Sequence, residues 1–124
     1  MVKLRVPSDV VEATLHYVEK KRFPADVPKI HKVFHIISKD TEISDLFSDF
    51  TFDTTKSYPH CQTIRFALDR LQKSNLLACI NPRLDEFEIT DKLGKANRDV
   101  EELFDEPEKQ LLKKAAGLFE KEIA

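Results

Sequence analysis

The chain has little glycine, little cysteine and no long apolar run, and each shortage excludes something. Two glycines in 124 residues disfavour an all-β fold and leave no glycine-rich loop to cradle a phosphate. Two cysteines, Cys61 and Cys79, are too few for a secreted disulfide scaffold, so reduced thiols in a cytoplasmic protein are expected. No apolar run approaches the roughly 20 residues of a membrane span, and no signal-peptide core is expected in the first residues. Charge of one sign is lacking too. The net charge is −2, so no global basic field advertises nucleic acid.

What is present fits one small soluble domain with an appended arm. Hydrophobic residues make up 41% and charged residues 34%, enough apolar content to bury a core and too much to stay disordered. The charge is unevenly spread. Residues 1–40 are net basic, and the stretch 41–55 carries Glu42, Asp45, Asp49 and Asp53 with no base. The segment 57–74 is mildly basic, and the segment 79–90 sets Arg83 against Asp85, Glu86 and Glu88.

Residues 57–90 carry the clearest pattern. Cys61, Ile64, Ala67, Leu68 and Leu71 recur at three- and four-residue spacing and predict a helix with one buried face. Ser57 is placed to cap it and Pro59 to sit in its first turn. Ser74-Asn75 ends the helix. Leu76–Ile80 then reads as a short buried strand and residues 81–85 as turn chemistry. Glu86–Ile89 reads as a half-buried strand of alternating polarity, and Thr90 is placed to cap the next segment. Helix, strand, turn, strand is the second half of a winged helix-turn-helix. The expected fold is therefore mainly α with a small β-hairpin wing, a winged helix over 1–90 and a helical arm over 91–124.

The first half supplies further helices. Ser8 is placed to cap a helix running to about Lys21, with Val11, Leu15 and Val18 buried. Asp26 caps a second helix ending near Lys39, with Pro28 near its start and Val27, Ile30, Val33, Phe34 and Ile37 on its apolar face. Thr41 can cap a short helical turn over 42–47. Phe47, Phe50 and Phe52 then predict an ordered loop packed on the core. About twenty residues separate the second and third helices, whereas a compact helix-turn-helix uses three to four; the expectation is a winged helix with an elaborated connection.

The run Lys32-Val33-Phe34-His35-Ile36-Ile37, then Leu46-Phe47, Phe50-Thr51-Phe52, Lys56-Ser57-Tyr58-Pro59-His60, Leu68-Asp69-Arg70-Leu71 and Leu76-Leu77 resembles the SocA-like antitoxin (Panacea) winged-helix families over about residues 27–90. Two positions depart from their pattern: Tyr58 and Asn75 stand where those families carry glycine. The resemblance implies a small cytoplasmic regulator or antitoxin that binds proteins, with no enzymatic activity.

The arm divides at Asp105-Glu106-Pro107. Before it, Leu93, Ala96, Val100, Leu103 and Phe104 share a face. After it, Leu111, Leu112, Ala115, Leu118, Phe119 and Ile123 form a wide apolar face that needs a partner. It can fold back on its own domain, pair with a second copy through Leu111, Leu112, Leu118 and Phe119, or bind another protein.

No nucleophile–base pair emerges from spacing, and no cofactor is expected. His31 and His35 share a helical face at metal-ligand spacing, but position 32 is lysine, and a solvated pair is expected. Cys61 lies on the buried stripe and reads as a core thiol rather than a reactive one. The third helix offers two binding surfaces. For DNA, Tyr58, His60, Gln62, Thr63 and Arg65 are the base-reading candidates and Arg70 and Lys73 the phosphate contacts. For a protein, Phe66 lies opposite the apolar stripe among polar neighbours. Either Phe47, Phe50 or Phe52 covers its ring, or the ring is a hot spot. The function expected is a DNA-binding, transcription-regulator-like winged helix, the alternative an antitoxin-like adaptor that binds a protein without touching DNA.

Overall fold

The computed structural model describes residues 7–48, 50–55, 57–80, 86–90 and 104–123. In chain order they form α1 (Pro7–His16), β1 (Arg22–Pro24), α2 (Val27–Ser38), a 3-10 turn (Ser44–Phe47), α3 (Gln62–Lys73), β2 (Leu77–Ile80), β3 (Glu86–Ile89) and α4 (Glu106–Ile123). The fold is mainly helical with one three-stranded antiparallel sheet in the order β1-β3-β2. No described helix is long and apolar enough to cross a membrane.

The first helix differs from expectation at both ends. It starts at Pro7, whose missing N–H costs nothing in a first turn, so Ser8 is not its cap. The Ser8 hydroxyl is instead buried without a hydrogen-bond partner. The helix ends at His16, and the chain turns through Val18 into β1, a strand too short to leave a readable alternation. β1 matters nonetheless. It pairs with β3 so that Phe23 faces Phe87 across the ladder, and the two rings meet edge to face with centroids 5.7 Å apart. β3 keeps the period read from its sequence, with Phe87 and Ile89 buried. The turn 81–85 lies outside the described residues.

The second helix is capped as expected. The Asp26 carboxylate accepts the Lys29 N–H at 3.1 Å, and Ile30, Val33, Phe34 and Ile37 are buried. The expected turn near 42–47 is the 3-10 turn. The aromatic loop packs inward: Phe47 lies against Phe34 and Phe50, and Phe52 against Phe50 and His35.

Helix α3 starts later than the proline suggested. Its N-cap is Cys61, and Ser57 and Tyr58 precede it in a bend that leads through Pro59 to His60, which exchanges backbone hydrogen bonds with Asp53. Its C-terminus closes as a Schellman motif. The Leu76 N–H donates to the Leu71 carbonyl at 2.9 Å and the Asn75 N–H to the Gln72 carbonyl at 3.1 Å. Asn75 adopts φ 61°, the left-handed conformation that glycine or asparagine tolerates there. The Thr90 hydroxyl donates to the Asn75 carbonyl at 2.8 Å, tying the end of β3 to this cap.

Helix α4 packs on α1 and α2 of its own chain. Asp105 and Glu108 form a reciprocal capping box at its start, with distances of 2.8 and 3.1 Å. Leu112 and Phe119 are fully buried, and Leu111 and Leu118 are half-buried against the core. Phe119 sits between Phe23, at 5.2 Å, and Phe34, at 5.5 Å. The Glu120 carboxylate accepts the backbone N–H groups of Glu19 and Lys20. Leu112 and Phe119, expected as candidates for a dimer contact, are therefore occupied inside the chain. Leu93, Ala96, Val100 and Leu103 lie outside the described residues, and Phe104 is buried.

Removing Phe119 should therefore be felt as a core loss. Phe119→Ala is expected to cost about 3–5 kcal/mol, a large share of the roughly 5–15 kcal/mol that holds a small domain together. A chain cut after Glu106 should aggregate or unfold. Denaturant titration of the first and sedimentation of the second check this; a soluble, cooperatively folded truncated chain would show that α4 is dispensable to the core.

Candidate functional site

The outer face of α3 is open in the described fold and carries the more exposed of its two exposed large apolar side chains, Phe66 and Ile36. Ile64, Ala67, Leu68 and Leu71 point into the core, which turns Gln62, Arg65, Phe66, Asp69, Gln72 and Lys73 outward. Phe66 is 58% exposed. Phe47, Phe50 and Phe52 do not cover it, because they pack on one another and on α2.

Phe66 stands as a ridge between two clefts. One, of about 530 Å³, runs along the side of α3 carrying Gln62, Arg65, Asp69 and Gln72, with Val27, Pro28 and Tyr58 opposite. The other, of about 520 Å³, lies toward α1 between Pro7, Ser8, Thr63 and Arg70. The unpartnered Ser8 hydroxyl belongs to this second wall.

The DNA candidates scatter. Gln62 and Arg65 are exposed and Thr63 half-buried at the start of α3. Tyr58 and His60, which precede the helix, are half-buried and stack around His31, with ring centroids 5.3 and 5.0 Å from it. Arg70 turns back to α1, where its guanidinium lies 3.4 Å from Asp9 and 3.6 Å from Glu12. Lys73 is bridged to Asp69 at 2.9 Å. Both expected phosphate contacts thus already face carboxylates. The acidic partners of Arg70 were missed in the sequence; Asp9 and Glu12, three apart on one helix, carry the signal that could have found them.

The histidine pair is not the solvated pair expected. His31 is fully buried. Its Nδ1 lies 2.8 Å from the Val27 carbonyl and its Nε2 3.1 Å from the Cys61 carbonyl. His35 is half-buried against Phe52, at 4.8 Å. Burial, with Lys39 nearby, holds the His35 imidazole below its ordinary range. Among the described residues, no group of three or more potential ligands is placed to hold a metal. Cys61 is buried and free, as a core thiol would be.

The acidic stretch after α2 is partly neutralised from an unexpected quarter. Lys114 of α4 reaches Glu42 and Asp40, and hydrogen bonding to Glu42 raises its ammonium above the ordinary lysine range. Arg22 of β1 lies 3.1 Å from Glu88 of β3, offsetting the acidic hairpin.

Glu12 makes the charge cluster testable. Burial pushes its carboxyl above the ordinary value of 4.5; Arg70 opposes and Asp9 adds to the rise. A carboxyl that holds its proton more tightly folded than unfolded costs nothing below the unfolded value. Stability then falls as pH rises from 4.5 to the folded value, and the cost persists above it. Glu12→Gln should abolish that loss and melt no lower than the parent at neutral pH. Thermal melts from about pH 4 to pH 7 decide it; a lower melting point for the glutamine variant at neutral pH would show that the Arg70 contact outweighs burial.

No family model, no curated protein and no solved structure matches this chain, so its function is argued from the geometry of this face.

Proposed function

We propose that the chain is a regulatory binding module on a winged-helix scaffold, and that the outer face of α3 docks a protein. The order α-β-α-α-β-β and the strand order β1-β3-β2 support the scaffold reading, with α3 in the recognition position and β2–β3 as the wing. The likeness of residues 27–90 to SocA-like antitoxins supports a protein partner.

One observation carries the choice of protein over DNA: a phenylalanine 58% exposed at the middle of the face that would enter a groove. An apolar ring flanked by clefts suits a partner's surface and gains little from phosphates. The cations beside it make a weak DNA surface, since Arg70 turns back to Asp9 and Glu12 and the Asp69 carboxylate stands on the same face as Arg65 and Lys73. The DNA reading retains Gln62, Thr63 and Arg65 at the start of α3.

Two measurements separate the readings. A photoreactive phenylalanine analogue at position 66 in the living source cell should yield a discrete protein adduct, absent when the analogue replaces the exposed Ile36. Phe66→Ala should leave the fold within about 0.5 kcal/mol of the parent and weaken the complex by about 2 kcal/mol or more. In polarisation titrations with pooled DNA fragments at low salt, no salt-steep binding is expected. Binding that falls steeply with salt and disappears in Arg65→Ala would overturn the protein reading, and unfolding of Phe66→Ala would remove its support.

A further inference from the structure

The polar residues around Phe66 have a symmetry that points to an occupant. Gln62, Arg65, Asp69 and Gln72 line one cleft along α3. Gln62 and Gln72 lie equally far from position 67, and so do Arg65 and Asp69, with opposite charges. A two-fold axis across the helix near position 67 would therefore lay Arg65 of one copy against Asp69 of the other, twice. It would also lay Gln62 against Gln72, twice, pairing amide donors with amide acceptors. Phe66 is one residue from that axis. The same operation keeps each flank of the seam beside the same flank of the other copy, so that Phe66 of one copy meets Phe66 of the other.

We propose that this face pairs with a second copy of the chain, α3 against α3 in antiparallel two-fold contact, with the two Phe66 rings against one another and the Arg65–Asp69 pairs beside them. The proposal rests on the protein-docking reading of the same face and names its partner. Self-complementarity of charge is what an isologous contact requires of its polar flanks. The intrachain Asp69–Lys73 bridge does not compete strongly, because both groups are largely in water, 60% and 77% exposed, where such a pair contributes little. An α3 engaged in this way cannot at the same time enter a DNA groove, so pairing would also switch off any contact that Gln62, Thr63 and Arg65 could make with bases.

Charge exchange tests the pairing in the full chain. Sedimentation equilibrium should find the parent dimeric at high concentration. Phe66→Ala should raise the dimer dissociation constant about thirtyfold or more. Arg65→Asp alone and Asp69→Arg alone should each be monomeric with unchanged circular dichroism, because each sets like charges opposite one another. Mixed one to one, the two single variants should pair with each other, one face all acidic and the other all basic. The double variant Arg65→Asp/Asp69→Arg should dimerise alone. A parent that stays monomeric at about 0.5 mM, well above the micromolar range of specific pairing, overturns the proposal, as do single variants that dimerise like the parent or fail to pair in the mixture. The adduct formed at position 66 keeps the two levels apart. An adduct of twice the chain mass supports self-pairing, an adduct with a different protein overturns it while leaving the docking reading intact, and no protein adduct overturns both.

Discussion

The placement of the exposed face depends on one buried imidazole. Helix α3 begins at Cys61 without a side-chain cap, and little in its own sequence fixes where it starts. His31 does so from the neighbouring helix, holding the Val27 carbonyl on one ring nitrogen and the Cys61 carbonyl on the other. A ring wholly out of water cannot exchange either partner for solvent, which makes the joint between the starts of α2 and α3 specific as well as tight. Tyr58 and His60 close over the same ring, so the approach to α3 is held by the residue that holds the helix. At its other end α3 is fixed by Asn75 and the backbone bonds around it.

Tertiary pairing rearranges the charges of the sequence. Read along the chain, the first forty residues are basic, the next stretch acidic and the third helix basic. In the fold, Arg70 serves Asp9 and Glu12 from α1, Lys114 serves Asp40 and Glu42, and Arg22 serves Glu88. Among the described residues, these pairs set charges of one segment against those of an element distant in sequence, and the local excesses are smaller than the segments suggest. A neutral surface offers weak long-range attraction for a polyanion and leaves short-range shape and apolar contact as the basis of recognition.

The elements legible in the sequence are those whose burial pattern is periodic and whose ends carry side-chain signals. Asp26 and Pro28 mark the start of α2, the Cys61–Leu71 stripe marks α3, and the alternation through Phe87 and Ile89 marks β3. Asp105 and Glu108 sit in a capping box, and α4 follows from its apolar face. The failures share a cause, which is that a distant element decides them. Three residues of β1 become a strand only because β3 offers a ladder. Pro59 could open a helix, but pairing of Asp53 with His60 keeps the helix from starting before Cys61. His31 reads as polar and solvated until two carbonyls and two rings surround it. Of the candidate site, the outward placement of Phe66 was legible from its position opposite the stripe; that Phe47, Phe50 and Phe52 leave it uncovered was not, because they pack on one another and on α2. The commitment of Arg70 to α1 was not, because its partners lie some sixty residues away.

An exposed phenylalanine on a small domain costs solubility and contributes little to the fold it leaves behind. The core here had other rings to use: Phe23, Phe34, Phe47, Phe87 and Phe119 are buried. Phe66 is excluded from that core by geometry, since Ile64, Ala67, Leu68 and Leu71 already fill the inward side of its helix. Its polar flanks could have been charges of one sign, as a phosphate-binding helix favours, or small residues, as a buried helix favours. They are instead a balanced set of amides and opposite charges around one ring. That composition is poorly suited to a polyanion or to a lipid surface. It suits a protein surface that returns the same composition, with the ring supplying the contact and the polar flanks fixing its register.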